Sequence, residues 1–264
     1  GITHENLSCD TLYYNAEILG VVSSGTYAPF WLQSNCNGNI SASPYSGNIS
    51  AGINKPATQP KRWYDYDFAV QVTGRVQSDI PISFAPYMKT FTGYFNQLYA
   101  HFRLYIIDVT AGINPITYES IDPQLSSGSM IFSGNSQPLP RITIGIEDYI
   151  PFPGLYGYME LKGGITHAWM PDNVYIQGCR LHHKFVGFRF GGRLPVNISY
   201  EFHHAAEWGG ISPVYGDVGS DLKSFINVFT AQAGAHLPTE SPVNQTTADQ
   251  LSATTGLFIA DNKN

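Results

Sequence analysis

Apolar and polar residues alternate along several segments of this chain with a period of two. Between Trp63 and Val76, one face carries Tyr, Phe and Val side chains, whereas the opposite face carries Asp65, Thr73 and Arg75. Such alternation is typical of a strand with one apolar and one polar face. It recurs in the segments 98–106 and 196–208 and, more weakly, in 12–24, 47–54, 107–113, 141–147, 156–170 and 183–191.

The connections between these predicted strands alternate in length. Short ones fall at 54–62, 104–108, 148–155 and 191–195, and long ones at 25–46, 77–94, 114–140, 171–182 and 209–250. Bacterial outer-membrane barrels have short periplasmic turns and longer extracellular loops. With a tenth strand near 255–260, the pattern predicts an all-β, antiparallel transmembrane β-barrel of about ten strands. We expect 114–140 and 209–250 on one rim and 191–195 on the opposite rim.

One segment departs from the β pattern. Leu222, Phe225, Ile226 and Phe229 follow the i, i+3, i+4, i+7 spacing of an amphipathic helix, with Ser220 as the expected N-cap. A second short helix is predicted from Thr247 through Leu251. Both belong to the excursion 209–250, where they would form a cap or plug. The alternative is a helix packed on the outside of a soluble sheet.

Composition and charge exclude several classes of protein. Charged residues make up 13% of the chain, about half of the roughly 25% of a typical soluble domain, and aromatic residues reach 14%. The net charge of −6 argues against a nucleic-acid partner. No segment has the roughly 20 apolar residues of a membrane helix. Cys9, Cys36 and Cys179 lack the CxxC spacing of zinc or redox sites, and their pairing state is left open.

Catalytic motifs are lacking, so neither an enzymatic activity nor a cofactor or metal is expected. Adjacent residues of a strand point to opposite faces, so neither His182-His183 nor His203-His204 can chelate as a unit. A metal site at His203 with its same-face acids stays open as an alternative. So does a pair of carboxylates for glycoside hydrolysis, drawn from Asp65, Asp67, Glu201 and Glu207.

The polar faces of two predicted strands supply the candidate glycan contacts, which would line the lumen of the barrel. They are Tyr99, His101, Arg103, Glu201, His203 and Glu207. Aromatic residues that face the lumen or the loops could stack on sugar rings, and Tyr99, Trp31 and Tyr215 are the examples. Trp63, Tyr64 and Tyr66 cluster at one end of their strand. In a barrel, such a cluster is interpreted by default as part of the aromatic girdle at the membrane interface.

Several short motifs in a fixed order carry a family resemblance. The central block reads Leu125-Ser126-Ser127-Gly128-Ser129-Met130, then Ser133-Gly134-Asn135-Ser136-Gln137-Pro138-Leu139-Pro140-Arg141-Ile142-Thr143-Ile144-Gly145. Supporting pieces are Ala28-Pro29-Phe30-Trp31, Phe152-Pro153-Gly154, Ala205-Ala206-Glu207-Trp208-Gly209-Gly210, the helix Leu222–Phe229 and Ala248-Asp249-Gln250. Together they resemble the Wzi-type capsule-assembly family of outer-membrane barrels, most of all its members from Bacteroidetes.

This resemblance implies a non-enzymatic, lectin-like protein of the Gram-negative outer membrane, exposed at the cell surface. Its expected role is to bind, anchor or organise capsular or other surface polysaccharide. Besides the polysaccharide, the expected partners are outer-membrane lipid and other outer-membrane proteins. Barrels of the family have about eighteen strands, within the bacterial range. Residues 1–264 are therefore expected to form a single, shortened barrel domain or the N-terminal part of a wider one.

Two other functions stay open at this point. One is a porin-like outer-membrane channel for small solutes, which has the same fold and composition. The other is a secreted, soluble β-rich protein that binds or hydrolyses glycans.

Overall fold

A computed structural model describes residues 11–58, 63–78, 91–115, 133–192, 194–232 and, for the backbone alone, 247–259. Most of these residues lie in strands. The strands are β1 Tyr13–Val22, β2 Tyr45–Lys55, β3 Tyr64–Gln77, β4 Phe91–Leu104, β5 Ile107–Ile113, β6 Pro140–Pro151, β7 Met159–Trp169, β8 Arg180–Phe190, β9 Val196–Trp208, β10 Ile211–Ser212, β11 Gly216–Asp217 and β12 Thr247–Ile259. The two helices are α1 Phe30–Gln33 and α2 Leu222–Phe229.

The chain divides into two compact units, of which the first comprises Gly1–Arg103 and Gly112–Pro138. Its strands follow the order β1-β2-β3-β4. The antiparallel register places Ile18 of β1 opposite Ile49 of β2, and Asn48 of β2 opposite Arg75 of β3. Ile18 and Ile49 are exposed, whereas Asn48 is buried. In this unit, therefore, the polar face of the sheet is the covered one.

The second unit comprises Leu104–Ala111 and Leu139–Asn264. Strands β6, β7, β8 and β9 are neighbours in that order, and β12 pairs with the free side of β9. The register places His183 of β8 opposite Thr166 of β7 and Ala205 of β9. His183 and Thr166 are buried, whereas Phe202, on the opposite face, is exposed. In the second unit, too, the polar face of the sheet is buried, while apolar residues such as Phe202 on the other face are exposed.

The strands that were predicted from alternation are present as β1 to β9. Strand β4 begins earlier than predicted, and 105–106 form a turn instead of continuing it. Connections again alternate between short (56–63, 105–106, 152–158, 191–195) and long (23–44, 78–90, 114–139, 170–179, 209–246). An antiparallel, predominantly β fold with a short helix is thereby confirmed, and the transmembrane barrel is taken up as a proposal below.

The prediction of a second short helix from Thr247 through Leu251 is wrong. These residues begin β12, where Thr247 pairs with Trp208 and Leu251 with His204. The hydrogen bonds offered by the free side of β9 override the weak local helix preference. The tenth strand, predicted near 255–260, starts eight positions earlier, and residue 260 lies outside the described residues. The excursion consequently spans 209–246, not 209–250.

Helix α2 has the bounds that the apolar spacing predicts, but its N-cap is Asp221 and not Ser220. The backbone N–H of Ser224 donates to Asp221 Oδ1 at 2.9 Å. Ser220 instead accepts from the N–H of Gly210 at 2.9 Å and donates to Asp217 at 3.2 Å. The Asp221 carboxylate is the stronger acceptor at a helix start, where the backbone N–H groups are unpaired.

Helix α2 packs on the apolar face of the second unit through Phe225 and Val228, whereas Leu222 and Ile226 of its predicted apolar stripe are exposed. Phe225 lies against Ala206, Trp208 and Val228, which form a small buried cluster. Helix α2 therefore lies on the face opposite to Glu201 and His203, and its role as a cap or plug stays a prediction. Among the helices that the structure describes, none has the length and apolarity needed to cross a bilayer.

Candidate functional site: the buried polar face

The polar face of the second unit is centred on Lys162 and Glu201, which lie on β7 and β9. Both residues are opposite Gly187 of the intervening β8. Because Gly187 has no side chain, the Lys162 side chain passes over β8 to reach Glu201. A Cβ atom at position 187 would lie 3.0 Å from Lys162 Cγ and 3.0 Å from the Tyr149 hydroxyl. The glycine therefore makes room for the ion pair.

The Lys162 Nζ and Glu201 Oε1 atoms are 2.6 Å apart, and the two side chains are only 4% and 3% exposed. Tyr149 donates its hydroxyl hydrogen to the same carboxylate oxygen at 3.2 Å. The Lys162 ammonium also lies 4.7 Å from the centre of the Tyr149 ring. A buried pair of charges is tolerated when further hydrogen bonds of this kind satisfy its polar atoms.

Two histidines extend the network from the other oxygen of Glu201. His203 Nε2 lies 3.3 Å from Glu201 Oε2, and His183 Nε2 lies 3.1 Å from His203 Nδ1. Since the carboxylate only accepts, we assign the proton of His203 to Nε2, and its Nδ1 then accepts from His183. The rings of His183 and His203 stack at 5.4 Å, beside Phe185. Both oxygens of Glu201 are thus engaged by the protein itself.

A second ion pair continues this face towards the short connection after β8. Arg189 Nε lies 2.5 Å from Glu160 Oε2. The Arg189 guanidinium also stacks at 4.5 Å over the Tyr149 ring, which therefore contacts both Arg189 and Lys162. The paired charges on three adjacent strands fix these side chains in one arrangement.

The first unit has its own cluster at Asp67. The Asp67 carboxylate is hydrogen-bonded to His101 Nδ1 and to the Tyr99 hydroxyl. Arg103, farther along β4, is buried. Asp65 has different partners, because it accepts from the N–H of Thr58 at 2.6 Å and from the N–H of Tyr66 at 2.9 Å. The two carboxylates of β3 therefore occupy separate environments.

The six predicted glycan contacts divide between the two units. Tyr99 and His101 come together at Asp67, with Arg103 on the same strand. Glu201 and His203 are hydrogen-bonded to each other, whereas Glu207, at the end of β9, is exposed. Glu201 and His203, like Tyr99 and His101, engage protein partners that the sequence did not identify. The roles of Lys162, Gly187 and His183 in this network were missed, and their only signal was the weak alternation in 156–170 and 183–191. Tyr149 was missed because it falls in the predicted connection 148–155, whereas the structure places it in β6.

Adjacent histidines of β8 and β9 do point to opposite faces. His183 lies in the polar network, whereas His182 is fully buried on the other side, with its ring 5.8 Å from that of Phe225 and 5.6 Å from that of Phe229. Likewise His203 contacts Glu201 while His204 lies 6.4 Å from His182, ring to ring. The strand geometry expected from the sequence explains this division.

The long connection 23–44 folds over the polar face of the first unit. Arg75 of β3 donates to the carbonyl of Gly38 at 2.5 Å and to Asn48 Oδ1 at 3.2 Å. The connection is tied to the segment 133–138 by the N–H of Asn37, which donates to Gly134 O at 2.6 Å. The segment 133–138, which belongs to the central block of the family resemblance, thus holds the connection 23–44 in place. The first part of that block, Leu125 to Met130, lies outside the described residues, as does Cys9.

The chain was compared with protein-family models and with curated proteins. A scan of protein-family models and a search of curated proteins both found no match to this chain.

Proposed function

We propose that this chain forms an outer-membrane β-barrel, or part of one, that binds, anchors or organises capsular or other surface polysaccharide without catalysis. One observation carries the membrane part. The sheet buries its charges, as at Lys162 and Glu201, and exposes its apolar side chains, with Ile18 and Val22 exposed at 82% and 83%. Water would make this arrangement costly, whereas lipid contact removes the cost.

The alternation of connection lengths supports the same proposal. In a bacterial barrel the short turns face the periplasm and the long connections face outwards. The connections 23–44 and 209–246 would then lie at the cell surface, where a polysaccharide is accessible. The neutral, hydroxyl-rich and amide-rich character of 23–44 suits such a ligand, and the resemblance to the Wzi-type family adds the capsular role.

Within this proposal, the buried network of Lys162, Glu201 and His203 stabilises the interior of the barrel. Its polar atoms are already hydrogen-bonded to protein partners, so a glycan would have to displace those partners to bind there. The surface connections are therefore better placed than the interior for glycan contact.

Nitroxide labels test the membrane part. In a cysteine-free background reconstituted into nanodiscs, Ile18→Cys carries a label on the apolar face and Ser24→Cys carries one at an exposed position of the connection 23–44. We expect the label at 18 to collide more with oxygen and less with a soluble nickel chelate than the label at 24. A folded protein that needs no detergent, with the label at 18 accessible to nickel, would contradict the membrane proposal.

Labelling on intact cells tests the orientation. Leu194→Cys lies in a short connection and Tyr215→Cys in a long one. We expect a membrane-impermeant maleimide to reach position 215 and not position 194. The reverse result would refute the stated topology.

Polysaccharide binding and ion conductance separate the glycan role from the porin alternative. We expect the detergent-solubilised protein to bind capsular polysaccharide purified from an encapsulated Gram-negative strain, and planar bilayers to show little conductance. Steady conductance without polysaccharide binding would favour a channel for small solutes.

A further inference from the structure

The connection 23–44 and the segment 133–138, which together we call the neutral ledge, contain no charged residue and no histidine. Their polar groups are the hydroxyls of Ser, Thr and Tyr27, the amides of Asn and Gln, the Cys36 thiol and the backbone. The neutral ledge's own residues offer hydrogen bonds without charge. Among the described residues, the one cation shown in contact with it, the Arg75 guanidinium, is bound to the carbonyl of Gly38 and to Asn48. The neutral ledge therefore suits an uncharged, hydroxyl-rich ligand better than a phosphate, a nucleic acid or a charged peptide.

Large aromatic side chains project from this neutral ledge. Trp31 is 74% exposed and Phe30, its neighbour in α1, is 68% exposed. They lie outside the strands, so the apolar strand faces that would contact lipid do not account for them. Aromatic rings with a polar rim provide rigid, amphipathic contact area at low entropic cost. A pyranose ring, with one face of C–H groups and a rim of hydroxyls, has the complementary chemistry.

The backbone under Trp31 is held at both ends of α1. The side-chain amide of Gln33 donates to Ala28 O at 2.7 Å, and the N–H of Ala28 donates to Ala42 O at 2.9 Å. After the helix, the N–H of Asn35 donates to Asn135 Oδ1 at 2.9 Å. Asn35 and Asn37 adopt left-handed backbone angles, with φ of 57° and 49°, which fix the tight path of this segment. The backbone that carries Trp31 is thus preorganised, which lowers the entropic cost of binding.

From these observations we infer that the neutral ledge is a saccharide-binding site in which the Trp31 indole stacks on an uncharged hexose of the ligand. The inference deepens the proposed function and rests on it, since the ligand is the surface polysaccharide. It moves the glycan contact from the buried residues of β4 and β9 to an exposed platform between β1 and β2.

Trp63 offers a matched control for Trp31. It is also an exposed tryptophan, packed edge-on against Tyr64 at 4.6 Å, and it precedes β3 in a short connection. Substituting it removes the same side chain from a surface where no saccharide contact is inferred.

The experiment uses the full chain in detergent and an array of neutral gluco-, galacto- and manno-oligosaccharides, with uronic-acid and sulfated oligosaccharides of matched length. We expect binding of at least one neutral oligosaccharide, weakened ~tenfold or more by Trp31→Ala, as for a central aromatic anchor. Trp31→Tyr should retain most of the affinity, and Trp63→Ala should leave it unchanged. Circular dichroism and heat-dependent mobility in SDS gels verify that each variant is folded.

The possible failures are distinguishable. If wild-type protein binds neutral oligosaccharides and Trp31→Ala binds them equally well, the neutral-ledge site is refuted while the proposed function stands. A preference for the sulfated or uronic-acid oligosaccharides also refutes it, because the ligand must be uncharged at Trp31. If the wild-type protein binds no glycan on the array and no capsular polysaccharide, both the proposed glycan role and the saccharide site at the neutral ledge are refuted.

Discussion

The ammonium of Lys162 lies 2.6 Å from the carboxylate of Glu201, although a whole strand separates the two residues. Gly187 of that strand is the partner of both in the sheet register, and its missing side chain lets the pair form. Charged groups are thus buried and paired while apolar groups on the other face are exposed. The polar network takes the place that an apolar core has in a water-soluble domain.

Replacement of Lys162 by methionine should destabilise the protein strongly. Lys162→Met leaves the Glu201 carboxylate buried without its cation, which costs about 3–5 kcal/mol for pairs of this kind. The free energy of unfolding, from urea titration in detergent micelles, measures the loss. Lys223→Met, at an exposed position of α2, is the control and should have little effect.

The double variant Lys162→Met/Glu201→Gln should recover part of that loss, because it removes the unpaired charge as well. A loss in Lys162→Met no larger than in Lys223→Met would mean that the pair contributes nothing to stability.

A side chain at position 187 should disturb the same ion pair from the intervening strand. In Gly187→Val, the new atoms would press on the Lys162 side chain and the Tyr149 hydroxyl, each 3.0 Å from the position of a Cβ. Overpacking of this kind costs about 1–3 kcal/mol. Gly20→Val is the matched control, since a Cβ there meets nothing within 4 Å and a β-branched residue suits a strand.

If Gly187→Val acts through Lys162, its effect should shrink in a Lys162→Ala background, which lacks the Cγ that a Cβ at position 187 would meet at 3.0 Å. Equal effects in both backgrounds would assign the cost to the strand itself and not to the ion pair.

The sequence carries the local features of this protein but not the pairing between strands. A period of two identifies β3 and β9, and a period of 3.6 identifies α2, because side-chain direction follows directly from backbone geometry. The register that brings Lys162 to Glu201 depends on which residues of different strands are opposite each other. That information is set by the assembled sheet, so the ion pair could not be predicted.

The same reason explains the errors at β12 and α2. Residues 247–251 have a helix-like start, yet pairing with β9 decides their conformation. For α2, Ser220 and Asp221 are both good N-caps by residue type. Only the position of Ser220 between Gly210 and Asp217 shows that Asp221 is the one available to cap. The glycan candidates on β4 and β9 were predicted to share the polar side of their strands, but their protein partners depend on register.

Helix α2 should be less stable at acidic pH because of its cap. The hydroxyl and the backbone N–H of Ser224 hold the pKa of Asp221 below its usual value. The stabilisation is therefore complete above the pKa of an unfolded aspartate, about 3.9, and is lost as the pH falls through the lowered pKa of the folded state. Amide hydrogen exchange in 222–229, corrected for the intrinsic pH dependence, measures the change.

Asp221→Asn is the control for this pH effect, because asparagine caps a helix without titrating in this range. Protection in Asp221→Asn should stay constant where that of the wild type declines. An equal decline in both proteins would place the acid-sensitive group elsewhere.

The two cysteines in the described part of the chain should differ in reactivity. Burial raises the pKa of the Cys179 thiol, and the negative charge of Glu207 raises it further. Because the thiolate is the reactive form, a raised pKa moves the onset of alkylation to higher pH. Cys179 is 6% exposed, whereas Cys36 is partly exposed and free, so N-ethylmaleimide should modify Cys36 first. Peptide mapping by mass spectrometry in a Cys9→Ser background measures both rates.

Glu207→Gln distinguishes the effect of charge from that of burial. Loss of the carboxylate should lower the Cys179 pKa and bring its alkylation to lower pH, with the rate at Cys36 unchanged. In urea both thiols should react alike, since unfolding removes the shielding of Cys179. Alkylation of Cys179 as fast as Cys36 in the folded protein would show that the connection between β7 and β8 opens readily. The packing of Cys179 against Trp208, whose carbonyl oxygen lies 3.8 Å from the Cys179 sulfur, would then not persist in solution.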